Sequence, residues 1–249
     1  LLRRNEVSQL AARAELLAAE YPNAHKIWTL LGIARARLEE HGHAIKAFEK
    51  SATLNSASAE AYNNLGSAHS NLGENAQAIR NYKEAIKLNP NFDEAYTNLA
   101  VVLYRLGDFQ EAIEVLERSI AINSRNVKSI NMLGTSLYKL GRFEESLLAY
   151  QSAVKLNPNF FEAHNNLASN LMDLKRYPEA LEAFKVAISL APDNRLVHHN
   201  FSIALQKTPI LKEDPKLQET ILSTIKLGSC VRPKDICVPA IKLLKADNQ

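Results

Sequence analysis

A 34-residue period runs through most of this chain and constrains its fold more than any other feature. Mostly aromatic residues recur at one position of the period, and large apolar residues recur three positions later. The first position holds Trp28, Tyr62, Tyr96, Ile130, His164 and His198, and the second holds Leu31, Leu65, Leu99, Leu133, Leu167 and Phe201. A fixed period of this length is typical of stacked repeats, which usually act through an extended surface rather than a pocket.

Each period predicts two helices joined by a turn. In the second period, apolar residues at helical spacing predict one helix over 59–72 and another over 77–88. Gly73 follows the first helix, where a left-handed residue is favoured. Pro90 follows the second helix and cannot continue it, because proline has no backbone N–H to donate. The chain therefore reads as a series of helix pairs.

The recurring residues resemble the tetratricopeptide repeat (TPR) family. The matching string in the second full repeat is Tyr62-x2-Leu65-Gly66, followed by Ala78-x3-Tyr82, Ala85 and Pro90. The resemblance implies an all-α fold, a right-handed superhelical solenoid of antiparallel helix pairs. It divides the chain into the second helix of a partial repeat (1–24), full repeats (25–58, 59–92, 93–126, 127–160 and 161–194) and a final partial repeat (195–207). Residues 208–249 are predicted to form a helical cap or a connector, with helices over 216–227 and after Arg232.

The turn between the paired helices departs from the family pattern in two repeats. Gly42 lies three residues later than the usual glycine, and Lys175 replaces that glycine in the fifth full repeat. We therefore expect an altered turn in the first full repeat. Neither departure changes the predicted fold.

Asparagine dominates one position of the predicted concave groove, which the first helices line in this family. Position 6 of the successive repeats holds Leu30, Asn64, Asn98, Met132, Asn166 and Asn200. The four asparagines resemble the asparagine ladder in the TPR arm of O-linked N-acetylglucosamine transferases, and Asn131 could substitute for Met132. A side-chain amide both donates and accepts hydrogen bonds, so it can bind any peptide unit. The alternative is that these amides tie each repeat to its neighbour.

Cationic and aromatic residues line one edge of this groove. Position 13 includes Arg37, Arg105 and Lys139, and position 12 includes Tyr104 and Tyr138. They predict a preference for an acidic or aromatic segment, with a solvated rim as the alternative. Glutamates at position 2 weaken the positive field at the opposite edge, namely Glu60, Glu94 and Glu162.

The sequence gives no indication of catalysis or of a bound cofactor or metal. It has no glycine-rich phosphate loop, no H-E-x-x-H and no G-x-S-x-G. Cys230 and Cys237 are too few for a metal site, and His164 and His198 are expected to replace Tyr or Trp in packing. The net charge of +3 does not favour nucleic-acid binding.

The most favoured function is a non-catalytic scaffold that binds an extended peptide or a helix of a partner protein. The alternative is the substrate-presenting arm of a larger glycosyl-, methyl- or sulfotransferase. Self-association through the truncated edge at 1–24 is a third hypothesis. The chain lacks an initiator Met, a signal peptide and a membrane span, so we expect a fragment or mature product located in the cytoplasm.

Overall fold

The computed structural model describes residues 4–208 and 215–227, and every regular element in these ranges is an α-helix. The thirteen helices of the described ranges are α1 (Arg4–Glu20), α2 (His25–Arg37), α3 (His41–Leu54), α4 (Ala59–Asn71), α5 (Asn75–Leu88), α6 (Asp93–Leu106), α7 (Phe109–Ile122), α8 (Val127–Lys139), α9 (Phe143–Leu156), α10 (Phe161–Asp173), α11 (Tyr177–Leu190), α12 (Arg195–Lys207) and α13 (Pro215–Leu227). The prediction of an all-α fold is confirmed.

The chain forms two compact units that divide between Asn126 and Val127. In the first unit, α1 precedes the pairs α2/α3, α4/α5 and α6/α7. The second unit contains the pairs α8/α9 and α10/α11, followed by α12 and α13. The first helices of the repeats begin at residues 25, 59 and 93 in the first unit and at 127, 161 and 195 in the second. These starts keep the 34-residue spacing of the sequence.

A small residue in the first helix of a pair lets an aromatic ring of the second helix pack against its backbone. A Cβ on Gly66 would lie 2.8 Å from ring atoms of Tyr82, and a Cβ on Gly134 would lie 2.7 Å from the ring of Tyr150. The Tyr82 side chain is buried, and its hydroxyl donates to Ser67 Oγ at 3.2 Å. The glycines therefore permit the close approach of the paired helices.

The turn between paired helices is the same in all five full repeats, so the prediction of an altered turn in the first is wrong. Gly73 and Gly141 adopt left-handed backbone with φ of 77° and 74°. Glu39 and Lys175 adopt the same conformation, with φ of 64° and 59°. The hydrogen bond that closes the turn is also kept, since the backbone N–H of the next residue donates five residues back, as Glu40 does to Arg35. Packing of the two helices therefore imposes the turn even where no glycine is present.

The recurrent aromatic position ties a first helix to the turn before it. In four repeats, a ring nitrogen or hydroxyl at this position contacts the backbone oxygen of a proline six residues earlier. The contacts are Trp28 Nε1 to Pro22 (2.9 Å), Tyr96 Oη to Pro90 (3.4 Å), His164 Nε2 to Pro158 (2.9 Å) and His198 Nε2 to Pro192 (2.8 Å). The two histidines thus take the place of Tyr and Trp, as the sequence predicted.

Helix α13 packs against α11 and α12 and extends the core of the second unit. Leu217 and Ile221 are buried in it, and His198 Nδ1 lies 2.7 Å from Thr224 Oγ1. This helix agrees with the predicted helix over 216–227. The second predicted cap helix, Cys230 and Cys237 lie outside the described residues.

Candidate functional site

Asparagine amides connect successive first helices within each unit. In the first unit, Asn98 Nδ2 donates to Asn63 Oδ1 at 3.0 Å, and in the second, Asn166 Nδ2 donates to Asn131 Oδ1 at 3.2 Å. Both pairs are 35 residues apart in sequence. Position 6 of one repeat therefore bonds to position 5 of the repeat before it. Asn131 serves here as the acceptor for Asn166.

These amide pairs leave hydrogen-bonding capacity on the predicted ladder residues. Each donor uses one of its two N–H groups, and the Oδ1 atoms of Asn98 and Asn166 accept no hydrogen bond within the described part of the chain. Asn64 and Asn200 make no side-chain hydrogen bond in the same part of the chain. All four side chains are partly exposed, so a ligand can reach them.

The hydrogen bond made by the residue at position 5 differs between repeats. Where this residue is threonine, the hydroxyl instead bonds a serine of its own repeat, as in Thr29–Ser51 (2.7 Å) and Thr97–Ser119 (3.1 Å). Where it is Asn63 or Asn131, the residue matching that serine is alanine. The same combination recurs at Asn165 and Ala187, yet Asn165 Oδ1 has no hydrogen-bond partner in the described part of the chain, so this covariation does not by itself identify an amide pair. Asn63 was missed in the sequence because only position 6 was considered.

The three predicted groove cations have different environments. Arg105 donates to the backbone oxygen of Ser70 at 3.3 Å and also to its hydroxyl. Ser70 lies in the last turn of α4, whose carbonyl groups favour a positive charge. Arg37 and Lys139 are exposed and form no ion pair among the described residues. Arg105 is therefore committed in part to joining α6 to α4.

The two predicted groove tyrosines pack at the turns that follow their helices. Tyr104 contacts Phe109 edge to face with ring centroids 5.3 Å apart, and Tyr138 contacts Phe143 in the same way at 5.4 Å. The Tyr138 hydroxyl also donates to the Asp173 carboxylate. Burial, followed by this bond to an anion, raises the pKa of Tyr138 to about 12, whereas burial alone raises the pKa of Tyr104. Both phenols therefore stay neutral near pH 7.

A cavity of about 460 Å³ opens on the face of the first unit, and we call it the acidic cavity. The residues that characterise its lining are Ile33, Glu60, Asn63, Asn64, Phe92 and Glu94. One predicted ladder residue, Asn64, and two glutamates of position 2, Glu60 and Glu94, line this cavity together. The sequence indicated that the glutamates of position 2 lie at the edge of the groove opposite the cations, and in the structure two of them line one cavity with Asn64.

Two further findings concern other kinds of function. No group of three or more His, Cys, Asp and Glu side chains is arranged to hold a metal ion in the ranges 4–208 and 215–227. None of the helices in these ranges has the length and apolar character required to cross a bilayer.

Comparison with known proteins assigns the repeats to a family. Models described as tetratricopeptide repeat match residues 25–58, 92–159 and 131–195, and one described as TPR repeat matches 71–107. Together they cover more than half of the chain. A search of curated proteins finds no significant match.

Solved structures share the fold at low sequence identity. The chain is 24% identical to YrrB, described as a TPR protein with an unusual peptide-binding site, over 82% of this chain and 100% of that one, with a TM-score of 0.58. It is 14% identical to Pseudomonas aeruginosa PilF over 92% and 99% of the two chains, with a TM-score of 0.71. It is 19% identical to a chain of the APC/C hetero-tetramer Cut9–Hcn1, with a TM-score of 0.70. That match covers 98% of this chain but only 46% of the other. From the repeat period, the helix pairs and these matches, we conclude that the chain belongs to the tetratricopeptide repeat family.

Proposed function

We propose that the face formed by the first helices in each unit binds an extended segment of a partner protein, and that the chain acts as a non-catalytic scaffold. The observation that carries this proposal is the environment of Asn98 and Asn166. Each amide is oriented by a hydrogen bond to the preceding repeat, yet keeps an N–H and a carbonyl oxygen for a ligand. A group that is already oriented loses less conformational entropy on binding.

The chemistry of these amides suits a peptide backbone. Each peptide unit offers one N–H and one C=O, which a carboxamide can satisfy together. Such contacts do not depend on the side chains of the ligand, so neighbouring groups on the face must supply specificity. The peptide-binding site of YrrB, a TPR protein of similar fold, supports this use of the fold.

The test begins with capture of partners by the wild-type chain and their identification by mass spectrometry. The binding segment is then synthesised and its Kd measured by calorimetry with Asn64→Ala and Asn166→Ala, one in each unit. We expect at least one substitution to weaken binding about fivefold to tenfold, because a hydrogen bond to the peptide is lost. Gln151→Ala removes an exposed amide from the second helix α9 and should leave Kd unchanged. An unchanged Kd in both asparagine variants would refute the proposal.

The same faces would present a substrate if the chain were the arm of a larger transferase. A nucleotide- or cofactor-binding domain in the complete reading frame would favour that alternative.

A further inference from the structure

Two glutamates from successive repeats line the acidic cavity. Glu60 lies in the first turn of α4 and Glu94 in the first turn of α6. Both are exposed, and neither forms an ion pair or a side-chain hydrogen bond with the described residues. No Lys, Arg or His lines the cavity. The cavity therefore carries two carboxylates that no cationic side chain neutralises, although each lies at the positive end of a helix, and a cation entering the cavity would be attracted by both.

An amide at the same place offers a hydrogen-bond donor to the ligand. Asn63 is 3% exposed and lines the cavity. Its Oδ1 accepts from Asn98, but its Nδ2 donates to no group in the described part of the chain. This nitrogen is not among the buried side-chain atoms left without a partner, so it is open to water or to an acceptor on a ligand, such as a peptide carbonyl oxygen. This donor is independent of the two carboxylates.

Apolar groups complete the cavity. Ile33 of α2 and Phe92, which precedes α6, both contribute to its lining. The volume of about 460 Å³ falls in the range of about 300–1,000 Å³ that is usual for ligand sites. An apolar wall beside carboxylates suits a side chain with an aliphatic stem and a cationic end, which is the structure of lysine and arginine.

We propose that the acidic cavity binds a lysine or arginine side chain of an extended partner segment, with the Asn63 amide donating to a backbone carbonyl oxygen of that segment. The proposal rests on the proposed function and gives it a specificity. It replaces the acidic segment favoured by the sequence with a basic residue at this point of the face. The cation would bind between the Glu60 and Glu94 carboxylates while its stem packs on Ile33 and Phe92.

The test uses a phage-displayed library of random dodecapeptides, selected against the wild-type chain, the E60Q/E94Q variant and the E162Q variant. Glutamine keeps the size of the side chain and removes its charge. Glu162 occupies the same first-turn position in α10 but does not line the acidic cavity, so E162Q controls for the loss of a charge at a helix N-terminus. Circular dichroism establishes that each variant is folded.

We expect the wild type and E162Q to select peptides with Lys or Arg at one aligned position, and E60Q/E94Q to lose this preference. For a selected peptide, replacing that residue with glutamine should weaken binding to the wild type about tenfold. The same replacement should change binding to E60Q/E94Q less than twofold, because the carboxylates are already neutral.

Three outcomes would overturn the inference, and they differ in what they imply for the proposed function. If the selected peptides bind and depend on Asn64 but show no basic position, or if E60Q/E94Q is as sensitive to the basic residue as the wild type, the inference alone fails. If the wild type selects no peptide, both fail.

Discussion

The bond between Asn98 and Asn63 allows the structural role of the asparagines to be separated from a role in binding. Asn98→Ala removes the donor that lies 3.0 Å from Asn63 Oδ1, and Asn63 is almost fully buried. A lost neutral hydrogen bond costs about 0.5–1.5 kcal/mol, and a buried acceptor left without a partner costs about 1–3 kcal/mol. Because Asn63 lines the acidic cavity, water can replace the lost donor in part. We therefore expect Asn98→Ala to lower the free energy of unfolding by about 1–2 kcal/mol.

The comparison with Asn64→Ala makes this prediction specific. Asn64 has no side-chain hydrogen bond to the described residues, so its substitution should cost less than about 0.5 kcal/mol. In a double-mutant cycle, Asn63→Ala and Asn98→Ala should show a coupling energy of about 1 kcal/mol. The two residues lie in adjacent repeats, so the coupling measures the strength of that repeat interface.

Urea unfolding followed by tryptophan fluorescence is suitable, because Trp28 is the single tryptophan and lies in the first unit with both asparagines. A local probe is needed, since repeat arrays do not always unfold in one step. If Asn98→Ala destabilised the first unit no more than Asn64→Ala, the amide pair would carry no stability and our reasoning would be refuted. Reduced peptide binding by Asn98→Ala alone would then reflect direct contact with the ligand.

Two further predictions follow from the turns and from the tyrosine at the end of α8. Glu39→Gly should raise the free energy of unfolding by about 0.5–1 kcal/mol in thermal or urea melts, because relief of left-handed strain (about 1–2 kcal/mol) exceeds the added entropy of the unfolded chain (about 0.4–1 kcal/mol). Tyr138, whose pKa is raised to about 12, should stabilise the fold below pH 10, where it is neutral in both states. This contribution is lost as the pH rises from 10 towards 12, since the unfolded phenol ionises first, and Asp173→Asn should lower the pKa measured by ultraviolet titration.

Each of these predictions has a control in an equivalent residue. Gly141→Ala places a side chain at a left-handed position with φ of 74° and should destabilise the chain, the opposite of Glu39→Gly. A loss of stability in Glu39→Gly would mean that the carboxylate makes a contact stronger than the strain. Tyr104 has its pKa raised by burial alone, so its titration should not change in Asp173→Asn. An unchanged Tyr138 titration in that variant would contradict the role assigned to Asp173.

The helix pairs were predictable because their causes are local. Apolar residues at helical spacing place α4 over Ala59–Asn71, close to the predicted 59–72. The start of α5 was missed by two residues, at Asn75 rather than Gln77, because the first turn of a helix carries little periodic signal. The first-repeat turn was mispredicted because a left-handed residue was taken to require glycine, whereas helix packing imposes it on Glu39.

The candidate site was predictable only in part. The sequence identified asparagines at position 6 of four repeats, namely Asn64, Asn98, Asn166 and Asn200. It left open whether they bind a peptide or hold each repeat to its neighbour. One N–H of Asn98 and one of Asn166 donate to the preceding repeat, whereas the other N–H and the carbonyl oxygen of each amide bond no described residue. The two roles are therefore not exclusive. Arg105 was predicted as a groove cation, but it bonds Ser70 of the preceding first helix.

The sequence by itself determined the family, the period and the pairing of helices, because these follow from residue types repeated along one dimension. Only the tertiary structure decided which side chains meet between repeats. The offset of 35 residues that joins Asn98 to Asn63 arises from the way two first helices lie side by side, and no periodicity of 34 predicts it. The acidic cavity likewise exists because Glu60, Asn63 and Glu94 converge in space from two repeats. A repeated sequence fixes the helix pair of each repeat, whereas the packing between neighbouring repeats within a unit forms the surface that a partner would contact.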